Sequence, residues 1–312
     1  TANRRQRQMC IRDRLLTLNE IKWDLETGFY ETVKFLKRGI DLIEQNTISS
    51  NGSKLKYRGL KSGYENYYKK ISGQIDGAEN FKLLESEEIN WINFIGFVES
   101  SANETDKAYL NELLALIDQE QKKNIARSYF GNSALISQAQ RIYRNAVERE
   151  SIDSERKSGY QERDQERIAN RIMALDYSYD HEVDKVIFLD RLMTYKNFDK
   201  SYRRATYSKL LRLDENEEVV TQRVNEIYKT KYKNSKNLLN MMNLTLDELN
   251  SSQDPLIIFI RDIFEESLEY EKESERVGAQ RQLLKSKFNN LLRKYYESSG
   301  RQMYADANGT LR

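Results

Sequence analysis

Over positions 15–45, Phe29, Val33, Leu36, Ile40 and Ile43 recur at spacings of four and three among charged neighbours. That period sets apolar side chains on one face of an α-helix, and Gly28 marks the place where such a helix is expected to bend. The polar run Asn46-Thr-Ile-Ser-Ser-Asn-Gly-Ser53 predicts a loop. Ser53 reads as the N-cap of a second long helix toward Ser100, so that the two pair as an antiparallel hairpin. A third helical region covers 104–150 with a break near Gly131-Asn132-Ser133, and a charged stretch over 151–167 follows. Shorter helices are expected over His181–Tyr195, 200–211, 215–232 and 244–251, joined by Asn- and Asp-containing turns. Asp254-Pro255 opens another with proline at its first position and Ile257, Ile260, Phe264 and Leu268 inward, and Leu284, Phe288, Leu291 and Tyr295 define the last. Ser298-Ser299-Gly300 stops it, and Asn308-Gly309 followed by Thr310-Leu311 reads as a turn opening an extended run. The fold class expected is therefore all-α, long antiparallel helices in an elongated helical domain over 15–300, with a short β-strand at the C-terminal end in 301–312.

Composition sharpens this picture. One proline, 13 glycines, 32% charged and 38% hydrophobic residues in 312 suit narrow buried stripes on broad solvated helices. Gly59, Gly63, Gly73 and Gly77 fall in two pairs spaced by four within the second helix. Each costs about 1 kcal/mol relative to alanine in a helix interior. Either another helix or a ligand approaches closely there, or the helix is kinked or interrupted.

Charge and cysteine usage exclude several classes. Lys and Arg number 51 against 49 Asp and Glu, with signs mixed along every segment, whereas a nucleic-acid reader concentrates positive charge on one face. The single basic cluster is Arg4-Arg5-Gln6-Arg7. Met9-Cys-Ile-Arg-Asp-Arg14 is similar to translated adapter sequence, so 1–14 is set apart from the folded region and Cys10 carries no disulfide framework. The longest apolar run, Leu256-Ile-Ile-Phe-Ile260, is far too short to span a membrane.

Catalytic signatures are missing from the chain. His181 is the only histidine, and in Asp180-His181-Glu182-Val183-Asp184 it reads as an exposed helix-start residue. Asp180 is then the N-cap, with Glu182 and Asp184 as first-turn acids. His181-Glu-Val-Asp-Lys185 has lysine where a zinc helix needs its second histidine, no Glu precedes His181 by three, and no Gly-rich phosphate loop occurs. No metal or cofactor site and no nucleophilic triad are expected within the chain.

Five ordered segments resemble the bacterial dipeptidyl-peptidase family of serine exopeptidases, the group of dipeptidyl-peptidases seven and eleven and dipeptidyl aminopeptidase BII. Trp23-Asp-Leu-Glu-Thr27 through Arg38-Gly-Ile-Asp-Leu-Ile43 is similar to the first long helix of its helical domain. Lys56-Tyr57 with Tyr64-Glu-Asn-Tyr-Tyr-Lys-Lys70 is similar to its second. Tyr179-Asp-His-Glu-Val-Asp184 and Asp254-Pro255 match two later helix starts, and Tyr304-Ala-Asp-Ala-Asn-Gly-Thr-Leu-Arg312, the most specific, matches its strand-initiating motif. The family usually has proline where His181 and Ala305 stand, and the segment before Leu15 matches poorly.

The resemblance implies a parent in which a chymotrypsin-like double β-barrel carries a Ser/His/Asp triad and a helical domain is inserted between its halves. This chain would be that insertion, with 301–312 beginning the C-terminal barrel half and every catalytic group outside the fragment. It also implies a peptide substrate with a free N-terminus, the flanking barrel as partner, a periplasmic or cell-surface location, and a fold compatible with a homodimer. A triad cleaves any bond that reaches it, so release of dipeptides needs an object that blocks longer extensions and fixes the ammonium. Asn66 matches the family asparagine that helps hold that amine, its amide oxygen accepting one hydrogen bond. By spacing alone, an asparagine between Tyr64 and Tyr67 is a surface residue, and the three tyrosines Tyr64, Tyr67 and Tyr68 read as packing residues. The competing expectation is a non-enzymatic, coiled-coil-like scaffold, which the composition fits equally well.

Overall fold

The computed structural model describes residues 16–130 and 133–300. Among them every regular element is helical. The β-strand expected at the C-terminal end is corrected accordingly: the described residues hold helices and turns with no strand, and 301–312 lies outside them, as do 1–15. The all-α expectation stands for the described chain.

Helix α1 (Leu18–Trp23) runs through a π turn at Asp24–Gly28 into α2 (Phe29–Thr47). The bend expected at Gly28 takes this form, and a Cβ there would meet Asp24 Oδ1 at 3.2 Å. Thr17 and Glu20 close a capping box at the start of α1.

The loop after α2 is shorter than the polar run suggested, because α3 (Asn51–Asn80) begins at once. Ser50, not Ser53, caps α3, its hydroxyl accepting the Ser53 amide at 3.1 Å. Ser53 instead donates to Asp180 Oδ2 at 2.7 Å. The expected helix toward Ser100 is divided at Lys82, whose φ of 48° places a non-glycine residue in the left-handed region. Helix α4 (Leu83–Ser101) resumes beyond it. The four glycines of α3 do not break it, so the interrupted-helix reading fails there.

Helices α5 (Glu104–Tyr129) and α6 (Ala134–Arg149) form the third helical region on either side of the expected break, and Ser133 caps α6 through Ile136 N. Short helices follow: α7 (Gln165–Met173), α8 (Leu175–Ser178), α9 (His181–Tyr195), α10 (Ala205–Leu210), α11 (Glu217–Ile227), α12 (Ser235–Met242) and α13 (Leu246–Asn250). Asp254 caps α14 (Pro255–Asp262), where proline at the first position costs nothing because its missing N–H would be orphaned anyway. Helix α15 (Phe264–Ser298) is longer than expected and absorbs both Phe264 and the last apolar stripe. Gly300, at φ +69°, supplies the left-handed stop.

The chain forms two compact units. The first takes the described residues up to Lys37, Glu65–Ile125, and those from Lys272 onward. Its core is a seam of α4, α5 and α15, in which Phe94 meets Phe288 edge-on at 5.8 Å and Tyr295 at 5.8 Å. Against it α1 buries Glu20, which accepts from Arg281 Nη2 and Thr17 N, both at 2.8 Å, and from Lys285 Nζ. Burial pushes this carboxyl up, but the Lys285 ammonium and these hydrogen bonds outweigh it and hold Glu20 below the usual range. The second unit takes Arg38–Tyr64 and Ala126–Glu271, with Leu42, Ile43, Tyr57, Val183 and Ile187 in one of its apolar clusters. No helix among the described residues is long and apolar enough to cross a membrane.

Candidate functional site

Helix α3 carries Asn66, and a seven-residue repeat decides which way that side chain faces. Tyr57, Ile71 and Ala78 are buried, and Tyr64 occupies the same register between them. A side chain every seventh residue returns to nearly the same face. Asn66 stands two residues past Tyr64, about 200° around the axis, and is exposed.

Its own face is unusual in having few side chains. Gly59, Gly63, Asn66, Lys70, Gly73 and Gly77 alternate at steps of four and three, a single strip along α3. A Cβ built on any of the four glycines would meet nothing within 4 Å. The close-packing reading of these glycines therefore fails within the described structure, and what they leave is bare helix backbone on both sides of the Asn66 amide.

The tyrosines beside Asn66 divide in role. Tyr64 fits over Gly39, where a Cβ would come within 2.5 Å of its ring, so only glycine at that position admits it. The same Cβ would lie 2.9 Å from Nη2 of Arg191, a fully buried guanidinium stacked 5.8 Å from the Tyr129 ring centroid. Burial holds Arg191 below the usual arginine range. Tyr68 lies under Lys37 Nζ at 5.2 Å. Tyr67, expected to pack, is 48% exposed, with Lys70 Nζ 5.9 Å from its ring.

His181 is not the exposed residue expected. It is half-buried, its Nδ1 2.8 Å from the Tyr179 hydroxyl and its Nε2 3.0 Å from the Tyr228 carbonyl. A carbonyl oxygen only accepts, so Nε2–H donates to it and Nδ1 accepts from Tyr179. Both ring nitrogens serve the packing of α9, and neither is aimed at a nucleophile. Among the described residues no group of three or more His, Cys, Asp or Glu side chains could hold a metal ion.

Asp180 caps α9 as expected, accepting from Glu182 N and Val183 N. Asp184 does something the first-turn pattern does not suggest. Only 4% exposed, it accepts from the Ala134 amide at 2.7 Å, the Ser133 hydroxyl at 2.8 Å and the Tyr228 hydroxyl at 2.7 Å, closing the start of α6 from another helix. Burial raises its carboxyl above the usual range despite these three donors. The signal was present in the register: Asp184, Phe188, Arg191 and Tyr195 share one inward face of α9. Two charged residues in that stripe disguised it as a solvated surface.

Comparison with known proteins gives this geometry its context. An Asp/Glu-specific dipeptidyl-peptidase of Shewanella putrefaciens is 25% identical to the chain over 279 residues, an alignment covering 86% of this chain and 38% of that protein. The chain thus spans well under half the length of that relative. Residues 12–312 match the peptidase S46 family, which takes in α3 with its Asn66 strip and every other described helix, and the chain belongs to that family.

Proposed function

We propose that this chain is the helical cap of a serine-type dipeptidyl-peptidase, a hydrolase that releases dipeptides from the free N-terminus of peptides. The observation that carries the reading is the placement of Asn66, exposed on α3 in a strip where flanking glycines keep side chains away. An ammonium has three donors and no acceptor, so an amide oxygen on an open backbone strip suits it. Family membership and the dipeptidyl-peptidase relative support the reaction class.

In this reading the triad stands on a barrel of the same protein, outside the residues described. The flanking serine attacks the second peptide bond, the histidine shuttles the proton, and water releases the dipeptide from the acyl-enzyme. The cap contributes position rather than chemistry, aligning the amine so that only the second bond reaches the nucleophile. Export to the periplasm or cell surface, where peptide substrates are met, and assembly as a homodimer belong to the same reading. A stand-alone scaffold draws no support from a family match that runs through the whole helical region.

The test is Asn66→Ala in the intact enzyme, assayed with free and N-acetylated dipeptide substrates. Loss of a hydrogen bond to a charged group, about 1.5–3 kcal/mol, lowers kcat/KM for the free amine by about 10- to 100-fold and leaves the acetylated substrate unchanged. Unchanged kinetics on the free amine removes Asn66 from the site.

A further inference from the structure

A concave site lies wholly within the second unit, where the chain after α9 folds back through 200–215. A cleft of about 390 Å³ is lined there by Lys200, Arg203, Lys209 and Arg212, with Asp214 and Glu215 as its acids and Ser208 on its wall. Four cations face two carboxylates, an excess of two positive charges in one small volume.

Two further features separate this cluster from an ordinary solvated surface. The Arg203 side chain is only 5% exposed, and one of its nitrogens, Nη2, bonds Asp214 at 2.8 Å. Its Nε and Nη1 have no hydrogen-bond partner among the described residues, and neither has the Ser208 hydroxyl. Buried donors of a guanidinium are costly to leave unsatisfied, and a charged donor is satisfied best by an anionic oxygen. Arg212 adopts φ 54° as the left-handed residue that closes α10, with Leu213 N bonded to Ser208 O at 2.9 Å.

From the buried Arg203 donors, the Ser208 hydroxyl and the exposed Lys209 and Arg212, we infer that this cleft is an oxyanion site for a dianionic phosphate group, free or as a phosphomonoester. The net excess of two charges matches a dianion. Lys200 and Arg203 already hold one anion, since Lys200 Nζ and Arg203 Nη2 clamp the Asp214 carboxylate at 2.7 and 2.8 Å. Asp214 is 56% exposed and acts as the built-in competitor that an incoming phosphate must share these cations with. The cleft is several times larger than a phosphate group, which leaves room for the organic body of an ester. The inference does not depend on the Asn66 assignment, which concerns a cationic ligand on another helix.

The experiment is titration of inorganic phosphate and of phenyl phosphate into the full chain by calorimetry, at constant ionic strength set with chloride. Saturable binding is expected. Arg212→Gly removes one cation while relieving the left-handed strain, so its stability to urea is unchanged or higher while phosphate affinity falls by about fivefold. Lys209→Ala lowers affinity by a similar factor, and Asp214→Asn raises it by removing the competing carboxylate. Tighter binding of phenyl phosphate assigns the site to an ester; tighter binding of inorganic phosphate assigns it to the free ion. No saturation by about 10 mM of either probe, or equal affinity in Arg212→Gly and the parent chain, overturns the proposal.

Discussion

Replacing Asp184 by alanine tests whether one buried carboxylate organises the start of α6. Three donors lie within 2.8 Å of its oxygens, and its removal orphans two of them, the Ala134 amide and the Ser133 hydroxyl, while the Tyr228 hydroxyl keeps Ser133 Oγ at 2.8 Å as an acceptor. Each buried donor left unsatisfied costs about 1–3 kcal/mol. Removing the carboxylate also recovers the desolvation that raises its pKa. Contacts sharing one partner are not additive, so we expect Asp184→Ala to lose about 3–4 kcal/mol. Asp184→Asn keeps an acceptor for the Ala134 amide and offers its NH₂ to the two hydroxyl oxygens, and should lose about 1 kcal/mol. The assay is urea denaturation followed by far-UV circular dichroism, because both tryptophans, Trp23 and Trp91, belong to the other unit. The pH dependence has a definite sign. A carboxyl whose folded pKa is raised contributes most below its unfolded value and loses that contribution as pH rises through the folded one. The advantage of the parent chain over Asp184→Asn is therefore greatest in acid and shrinks toward neutrality. A loss under about 1 kcal/mol in Asp184→Ala, or equal losses for alanine and asparagine, would refute the capping role.

Two other predictions follow from the packing. Glu20→Gln breaks the carboxylate's pairing with Lys285 and Arg281 and should cost about 2–3 kcal/mol, below the full range for buried pairs because Arg281 is 41% exposed. Since this carboxyl is depressed, its contribution is present above the ordinary glutamate pKa and disappears as pH falls through the folded value, the reverse of Asp184. Tryptophan fluorescence in urea reads the difference, and a gap between parent and Glu20→Gln that persists undiminished in strong acid contradicts it. Among the glycines, Gly39→Ala should destabilise by about 1–3 kcal/mol because its methyl would meet the Tyr64 ring at 2.5 Å. Gly63→Ala, with nothing within 4 Å, should stabilise by about 0.5–1 kcal/mol, and thermal melts that rank the two the other way would reject the packing described.

Local periodicity carried the helices because it is a property of neighbouring residues. The stripe of Leu284, Phe288 and Leu291, the Asp180 and Asp254 caps, the bounds His181–Tyr195 and the glycine stop at Gly300 could all be read from spacing and residue type. Asn66 as a surface residue was equally legible, since two positions past a packing tyrosine lies on the far side of a helix. Boundaries set by long-range partners were not. Ser53 looks like a cap until Asp180 claims its hydroxyl, and the break at Lys82 has no glycine or proline to announce it. The same limit hid the polar interior. Asp184, Glu20, Arg191 and Arg203 belong to residue types that are mostly solvated in this chain, and burial of a charge depends on which distant donors or carboxylates the fold brings to it. Helical period is written within one turn of chain, whereas the partner that makes a buried charge tolerable is chosen only when segments far apart in sequence close on each other.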